Sequence, residues 1–307
     1  MPPIPLLKKL FVFFMVTTSL MGGEPAPQVI AFAQDTMAND FRKAQVYEVR
    51  DALAVQPGIR FVYSDAKTQT SLLIRQIEHF ITQKVDLIIV GTNDENAVVP
   101  VIAKAYENGI PVIILDRGIQ GNAYTTFINS DNIKIGAIGA EYIAKRLGGK
   151  GTVLLFEGLQ KADVTQLRSK GFLDVMAKFP GIKVIKRTGN YLRRDAIVET
   201  EKLMREGIHF DAVFSESDSM LSGVRTVLEK HGIDLGAIVT VGCDYTSEAQ
   251  RAIRSGTQSG SVLFPLGGKK SAEIALKILS GEAVPKHIVI PVELVTKQNV
   301  ERVAPIF

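Results

Sequence analysis

The sequence predicts an α/β protein of two domains, each a doubly wound, Rossmann-like parallel sheet. Three observations point there. Short apolar runs recur along the chain and stop at polar residues, an amphipathic stretch follows each, and the series restarts after residue 150. Near-continuous apolar strands alternating with helices belong to parallel sheets covered on both faces. Ligands of such sheets sit beyond the carboxyl ends of the strands. Two series, each ending its strands in polar groups, predict one shared cleft and a binding protein.

The first series is Gln28–Gln34 (QVIAFAQ, then Asp35), Ile59–Asp65, Val85–Thr92 and Pro111–Arg117. The second is Gly151–Glu157, Ile182–Thr188, Phe210–Asp218, Ile238–Asp244 and Gly260–Phe264. Between them the spacing predicts helices. In Gln69–Gln83, residues Leu72, Leu73, Ile77, Phe80 and Ile81 share one face and Gln76, Glu78 and Gln83 the other. Asn96–Asn108 repeats the pattern until Gly109 stops it. Further helices are predicted at 133–147, 164–179, 194–206, 219–230, 247–255 and 269–279. Units of this size linked by short turns imply right-handed crossovers.

The chain is expected to change domain near Asn129–Asp131, to return near Phe264–Pro265, and to cross again near Pro291. That divides it into 27–130 plus 265–291 and 131–264 plus 292–307. A three-segment hinge permits closure while restricting sliding. Met1–Gly23 reads as a secretory signal peptide. Lys8 and Lys9 form a basic start, Leu10–Met21 an apolar core, and Gly22–Gly23 offer small residues for cleavage. Twelve helical residues rise about 18 Å, short of the roughly 30 Å hydrocarbon core of a bilayer. Cleavage and residence in a periplasm are therefore expected. Cys243 is the only cysteine, so no internal disulfide exists, and its place at the end of an apolar run predicts a small core residue.

Several polar and aromatic residues fall at predicted strand ends. Asn39–Phe41 (NDF) opens a helix, where Asn39 or Asp40 can cap and Phe41 can enter the core or face a ligand. Asp116–Arg117 follows four apolar residues and supplies acceptors beside a fixed fork of donors. Arg168 lies on the helix after the first strand of the second series. Tyr191 follows a Gly189–Asn190 turn, and Asp244 directly follows a buried strand. Of Ser217 and Asp218, one can bind while the other caps. Phe264 is either an aromatic wall or core. Carboxylates, guanidiniums, an amide and aromatic faces together suit a small polyhydroxy ligand, with hydroxyls at its edge and C–H groups on its face.

In these residues the chain resembles the ribose-type branch of the periplasmic sugar-binding proteins (periplasmic binding protein type I), the solute receptors of ABC transporters. The likeness runs from about Gln28 to Lys297. It rests on NDF at 39–41, GIPVIILDR at 109–117, INSDN at 128–132, Arg168–Phe172 (R-x-x-G-F), SDSM at 217–220 and VGCD at 241–244. It implies ligand contacts at Asn39, Phe41, Asp116, Arg117, Arg168, Tyr191, Ser217 and Asp244. Ribose binders carry a second aromatic where this chain has Arg42, and amides where it has Gly91, Ser217 and Phe264. A buried Arg42 is expected to favour a ligand with an acidic group, so a sugar, a polyol or a sugar acid is anticipated in place of ribose.

Other classes are excluded by what the sequence lacks. It has no G-x-S-x-G, H-E-x-x-H, C-x-x-C or P-loop motif. His79, His209, His231 and His287 show no metal spacing. A net charge of +4, or +2 without Lys8 and Lys9, offers no basic stripe for nucleic acid. Transcription regulators that share this core fold carry a DNA-binding domain where this chain has an apolar leader. The expectation is a monomeric, cofactor-free receptor, not an enzyme. It hands its ligand to the permease of an ABC transporter, or presents its bound state to a sensor kinase or chemoreceptor.

Overall fold

A computed structural model describes residues 26–307, so the leader at Met1–Gly23 lies outside the described residues. The elements are β1 (Gln28–Gln34), α1 (Asp40–Leu53), β2 (Ile59–Asp65), α2 (Thr70–Thr82), β3 (Leu87–Gly91), α3 (Val99–Glu107), β4 (Val112–Leu115) and β5 (Thr126–Ser130). The chain continues with α4 (Asn132–Arg146), β6 (Lys150–Glu157), α5 (Asp163–Met176), β7 (Gly181–Thr188), α6 (Arg193–Arg205), β8 (Ala212–Ser215), α7 (Asp218–Lys230) and β9 (Val239–Asp244). It ends with α8 (Ser247–Ser255), β10 (Gly260–Leu263), α9 (Gly268–Leu279), β11 (His287–Ile290) and β12 (Glu293–Thr296). Among the described residues, no helix is long and apolar enough to cross a membrane.

The strands form two sheets, ordered β11-β5-β4-β3-β1-β2 and β12-β10-β9-β8-β6-β7. Strand for strand the two orders match, and each contains the doubly wound 2-1-3-4-5 arrangement. The inner strands β3, β4, β8 and β9 are buried throughout, whereas the edge strands β2 and β7 are half-exposed. Apolar side chains cover both faces of each sheet. Ile77, Ile88 and Val101 lie on one side of the first sheet, and Phe32, Ile89 and Ala275 on the other. Phe172, Phe214 and Cys243 lie on one side of the second, and Leu154, Met220 and Leu228 on the other.

The last strand departs from an all-parallel expectation. β11 joins the first sheet parallel to β5, whereas β12 joins the second antiparallel to β10. Only Pro291 and Val292 separate them. A strand that runs toward the cleft in one sheet and crosses directly must run away from the cleft in the next. α3 also starts at Val99 instead of Asn96, because Asp94 Oδ1 accepts from the Asn96 and Ala97 N–H groups and ties a turn there. Three segments thus link the sheets, at 130–132, 264–267 and 291–292.

The packing of α4 on α5 sets the position of Arg168. A Cβ on Gly136 would lie 2.0 Å from the Arg168 carbonyl oxygen, and one on Gly171 would lie 2.0 Å from that of Ile133. The two backbones touch, so α5 is fixed against its neighbour and Arg168 points from a rigid base.

Candidate ligand-binding site

The strand ends of the first sheet carry a buried charge network. Asp35 follows β1, Thr92 follows β3, and Asp116–Arg117 follow β4. Asp116 sits at φ 71°, a left-handed conformation that side chains rarely adopt and that aims its carboxylate away from the strand direction. Its Oδ2 lies 2.8 Å from Arg42 Nη1. Arg42 Nε lies 3.5 Å from Asp35 Oδ1, and Arg117 Nη1 lies 3.1 Å from Asp35 Oδ2. Arg42 also donates to Gln45 Oε1 at 3.2 Å, and both arginines reach the Thr92 carbonyl at 3.4 Å. Burial, and then the like charge of Arg42, lower the Arg117 pKa, while Asp35 and Asp116 oppose that shift. Two guanidiniums meet two carboxylates, so the network is formally neutral.

Gly91 belongs to the same arrangement. It pairs with Gln34 across β1 and β3, and a Cβ there would lie 2.2 Å from Gln34 Oε1. The missing side chain makes room for the Gln34 amide, which donates to Gln45 Oε1 at 3.2 Å and steadies the partner of Arg42.

The second sheet supplies the opposite wall. Arg168 donates from Nε to Asn132 Oδ1 at 2.9 Å and from Nη1 to the Glu216 carbonyl at 2.7 Å. Its Cζ stands 4.4 Å from the centre of the Phe264 ring. Asp244 ends β9 at φ 106°, and burial pushes its carboxyl well above the usual range against the pull of Arg168. Tyr191, at φ 60°, has its hydroxyl 2.8 Å from Thr165 Oγ1. Burial, then the Glu216 carboxylate, raise its pKa and keep that hydroxyl protonated. Ser217 caps α7 by accepting from the Met220 N–H at 3.2 Å and also faces the cavity. Asp218 does not. It accepts from the Tyr245 N–H at 2.7 Å and from Ser261 Oγ at 2.7 Å, pinning the corner that follows Asp244.

Between these walls lies a narrow cavity lined by Asn39, Phe41, Arg42, Asp116, Arg117, Val164, Arg168, Tyr191, Ser217, Asp244 and Phe264. All ten residues singled out in the sequence meet here, and Val164 is the addition. Inside it, Asp116 Oδ1 and Arg117 Nε are buried with no hydrogen-bond partner among the described residues. An unpaired buried polar atom costs about 1–3 kcal/mol, so such atoms mark where a ligand's polar groups belong.

The two lobes touch around this cavity. Asn39 accepts from the Arg42 N–H as the α1 cap and donates its Nδ2 to the Tyr191 carbonyl at 3.0 Å. Phe41 stacks on Phe264 with ring centres 5.1 Å apart, making each both wall and core. Arg117 lies 5.5 Å from the Tyr191 ring centre. The Gly118 N–H donates to Asp163 Oδ2 at 2.8 Å. Asp163 does not line the cavity, and burial raises its pKa. Asp163→Ala is expected to weaken ligand binding about tenfold through faster dissociation, as one charge-assisted bond of about 1.5 kcal/mol is lost from the closed form. Stopped-flow measurement of the dissociation rate checks this; an unchanged rate would show that the bond does not hold the lobes.

Sequence reasoning missed Asp35, Glu216, Asn132 and Asp163. Asp35 follows its strand as Asp116 and Asp244 follow theirs, so the same rule would have found it. Glu216 stands inside the FSES run that reads as a strand tail. The expectation for Arg42 needs correcting: its charge is already matched by Asp116 and Asp35, so the arginine alone does not call for an acidic ligand.

The comparisons with known proteins agree with this architecture. Residues 30–283 match the periplasmic binding protein domain. The ribose import binding protein of Bacillus subtilis is 29% identical over 247 residues, 80% of each chain. An ABC transporter solute binding protein from Bacillus halodurans, solved with bound myo-inositol, superposes with a TM-score of 0.85 at 28% identity, over 91% of this chain and 98% of that one. The fructose binding periplasmic domain of a hybrid two component system gives a TM-score of 0.82 at 26% identity, over 90% and 92%. These relatives are binding proteins. With its two matching sheets and the cavity between them, the chain belongs to the periplasmic binding protein family, in its type I fold.

Proposed function

We propose that this protein is exported, loses its leader, and captures one small neutral sugar or polyol between its lobes for delivery to an ABC importer. The lobes in this reading are 27–130 with 265–291 and 131–264 with 292–307, hinged at the three crossings. The observation that carries the ligand class is charge balance around unpaired polar atoms. Arg42 and Arg117 face Asp35 and Asp116, so the charge network of the first lobe is balanced without any charge on the ligand. Asp116 Oδ1 accepts and Arg117 Nε donates, which suits adjacent hydroxyls on one ring. The cavity between the two walls is narrow, which suits a single ring and not a longer chain of sugars. Phe41 and Phe264 supply the apolar surface for its C–H face.

Closure follows from the same contacts. A ligand held by Asp116 and Arg117 completes its bonds only when Arg168, Ser217 and Asp244 arrive from the other lobe. It therefore binds the closed form more tightly and shifts the population toward it. A thermal-shift panel of pentoses, hexoses, cyclitols and sugar acids tests the class. Ligand at a hundredfold its Kd stabilises by about 2.7 kcal/mol, a readily visible rise. Neutral single-ring compounds are expected to raise the melting temperature; a larger rise with sugar acids would refute the neutral-ligand reading. Similarity to a two component system domain favours a second reading, presentation to a sensor kinase. Loss of labelled-ligand uptake on deleting the gene supports import, whereas intact uptake with lost induction supports sensing.

A further inference from the structure

Behind the cavity wall lies a second group of acids that the ligand reading does not use. Glu157 ends β6 and Glu216 follows β8, the adjacent strands where the second sheet reverses its order. Both are buried, Glu216 completely. Ser169 Oγ lies between them, 2.8 Å from Glu157 Oε1 and 2.9 Å from Glu216 Oε1. A serine hydroxyl has one hydrogen and can donate to only one of these oxygens. The other contact needs a hydrogen from the carboxyl side, so the pair holds one proton. Lys186 Nζ, 2.6 Å from Glu157 Oε1, places the negative charge on Glu157 and leaves the proton to Glu216.

Glu216 also touches the groups that build the cavity. Its carbonyl takes the Arg168 Nη1 bond at 2.7 Å. Its Oε2 accepts from the Gly158 N–H at 2.8 Å and lies 3.4 Å from the Tyr191 hydroxyl. We propose that Glu216 is a positioning residue for ligand binding: its backbone carbonyl holds Arg168, and its side chain, a neutral carboxylic acid whose proton is shared across Ser169 with Glu157, meets the Tyr191 hydroxyl. This rests on the ligand-site reading above.

The groups facing Glu216 come from every neighbouring element: Glu157 on β6, Lys186 on β7, Tyr191 after it, Arg168 and Ser169 on α5, and Cys243 on β9. Asp218, the first residue of α7, is turned away toward Tyr245. Burial, with Glu157 adding to it, pushes the Glu216 carboxyl up to about 7, against the Gly158 N–H, Arg168 and Ser169. Below that pH the shared hydrogen is present. Above it two carboxylates face one hydroxyl, and the extra charge competes for the Arg168 guanidinium and the Tyr191 hydroxyl. Affinity should therefore fall as pH rises through the neutral range.

Calorimetry with the tightest binder among D-ribose, D-fructose and myo-inositol, from pH 5.5 to 8.5, tests this. For the parent protein, affinity is expected to drop by about fivefold or more across neutral pH. Glu216→Gln, a neutral isostere that still offers an oxygen to Gly158, should keep the acid-side affinity and flatten the profile. A parent profile with no drop, or a drop unchanged in Glu216→Gln, would overturn the assignment. Infrared spectroscopy of the unliganded parent protein reads the proton directly and does not depend on the ligand. A buried carboxylic acid band that titrates near neutral pH and is lost in Glu216→Gln supports the proposal; no band at pH 6, or one unchanged by Glu216→Gln, overturns it. If none of the three sugars binds, the site reading has failed, and the band still decides whether Glu216 carries the proton.

Discussion

Asp116→Ala is expected to weaken ligand binding by at least about a hundredfold, or ~3 kcal/mol, measured by calorimetry. Two losses combine. The unpaired Oδ1 is the acceptor offered to the ligand, and Oδ2 is the 2.8 Å partner of Arg42. Without Asp116, Arg42 keeps the longer 3.5 Å ion contact to Asp35 and its bonds to Gln45 and Thr92, and its guanidinium is held less firmly beside the ligand. Asp116→Asn separates the two losses, because the amide preserves shape and one acceptor but not the charge that fixes Arg42. It should bind more weakly than the parent protein and more tightly than Asp116→Ala. Unchanged affinity in Asp116→Ala would remove this residue from the site.

Arg42→Phe is expected to destabilise the protein by about 3–5 kcal/mol, because it strips a buried partner from two carboxylates at once. Asp35 retains Arg117 at 3.1 Å, whereas Asp116 loses its only ion pair among the described residues. Seen from sequence alone the same change would tune ligand preference, since an aromatic stands at this position in ribose binders. The network makes it a folding change first. Denaturant titration measures it, and Arg42→Phe combined with Asp116→Asn should recover part of the loss, since removing both charges leaves no orphan. A fully stable Arg42→Phe with altered ligand preference would show that the ion pairs are not what holds this corner.

Much of the fold was legible because burial on both faces writes itself as uninterrupted apolar runs. β3, β4, β8 and β9 are of this kind and were read within about two residues, allowing for their polar tails. β11 and β12 were not read as strands. They are edge strands of four residues, half-exposed, and the apolar run Ile288–Ile290 is only three residues long before Pro291 interrupts it. The site residues were legible for a related reason: a polar group directly after a buried strand has nowhere to go but the cleft. That logic brought Asp116, Arg117 and Asp244 together across more than a hundred residues of sequence. What sequence could not convey is pairing. Nothing in the order of residues says that Arg42 meets Asp35 and Asp116, or that Ser169 stands between Glu157 and Glu216. Those contacts join loops from different strands, and they remove the reason Arg42 gives for expecting an acidic group on the ligand.

The central claim is that one small molecule is held by both lobes at once. A crystal structure of the protein with the best ligand of the thermal-shift panel tests it most directly. The account predicts a single ring in the cavity, hydrogen-bonded to Asp116 and Arg117 from one lobe and to Asp244 and Arg168 from the other, with Phe41 and Phe264 against its face. A ligand bound to one lobe alone, or lying outside this cavity, would contradict it.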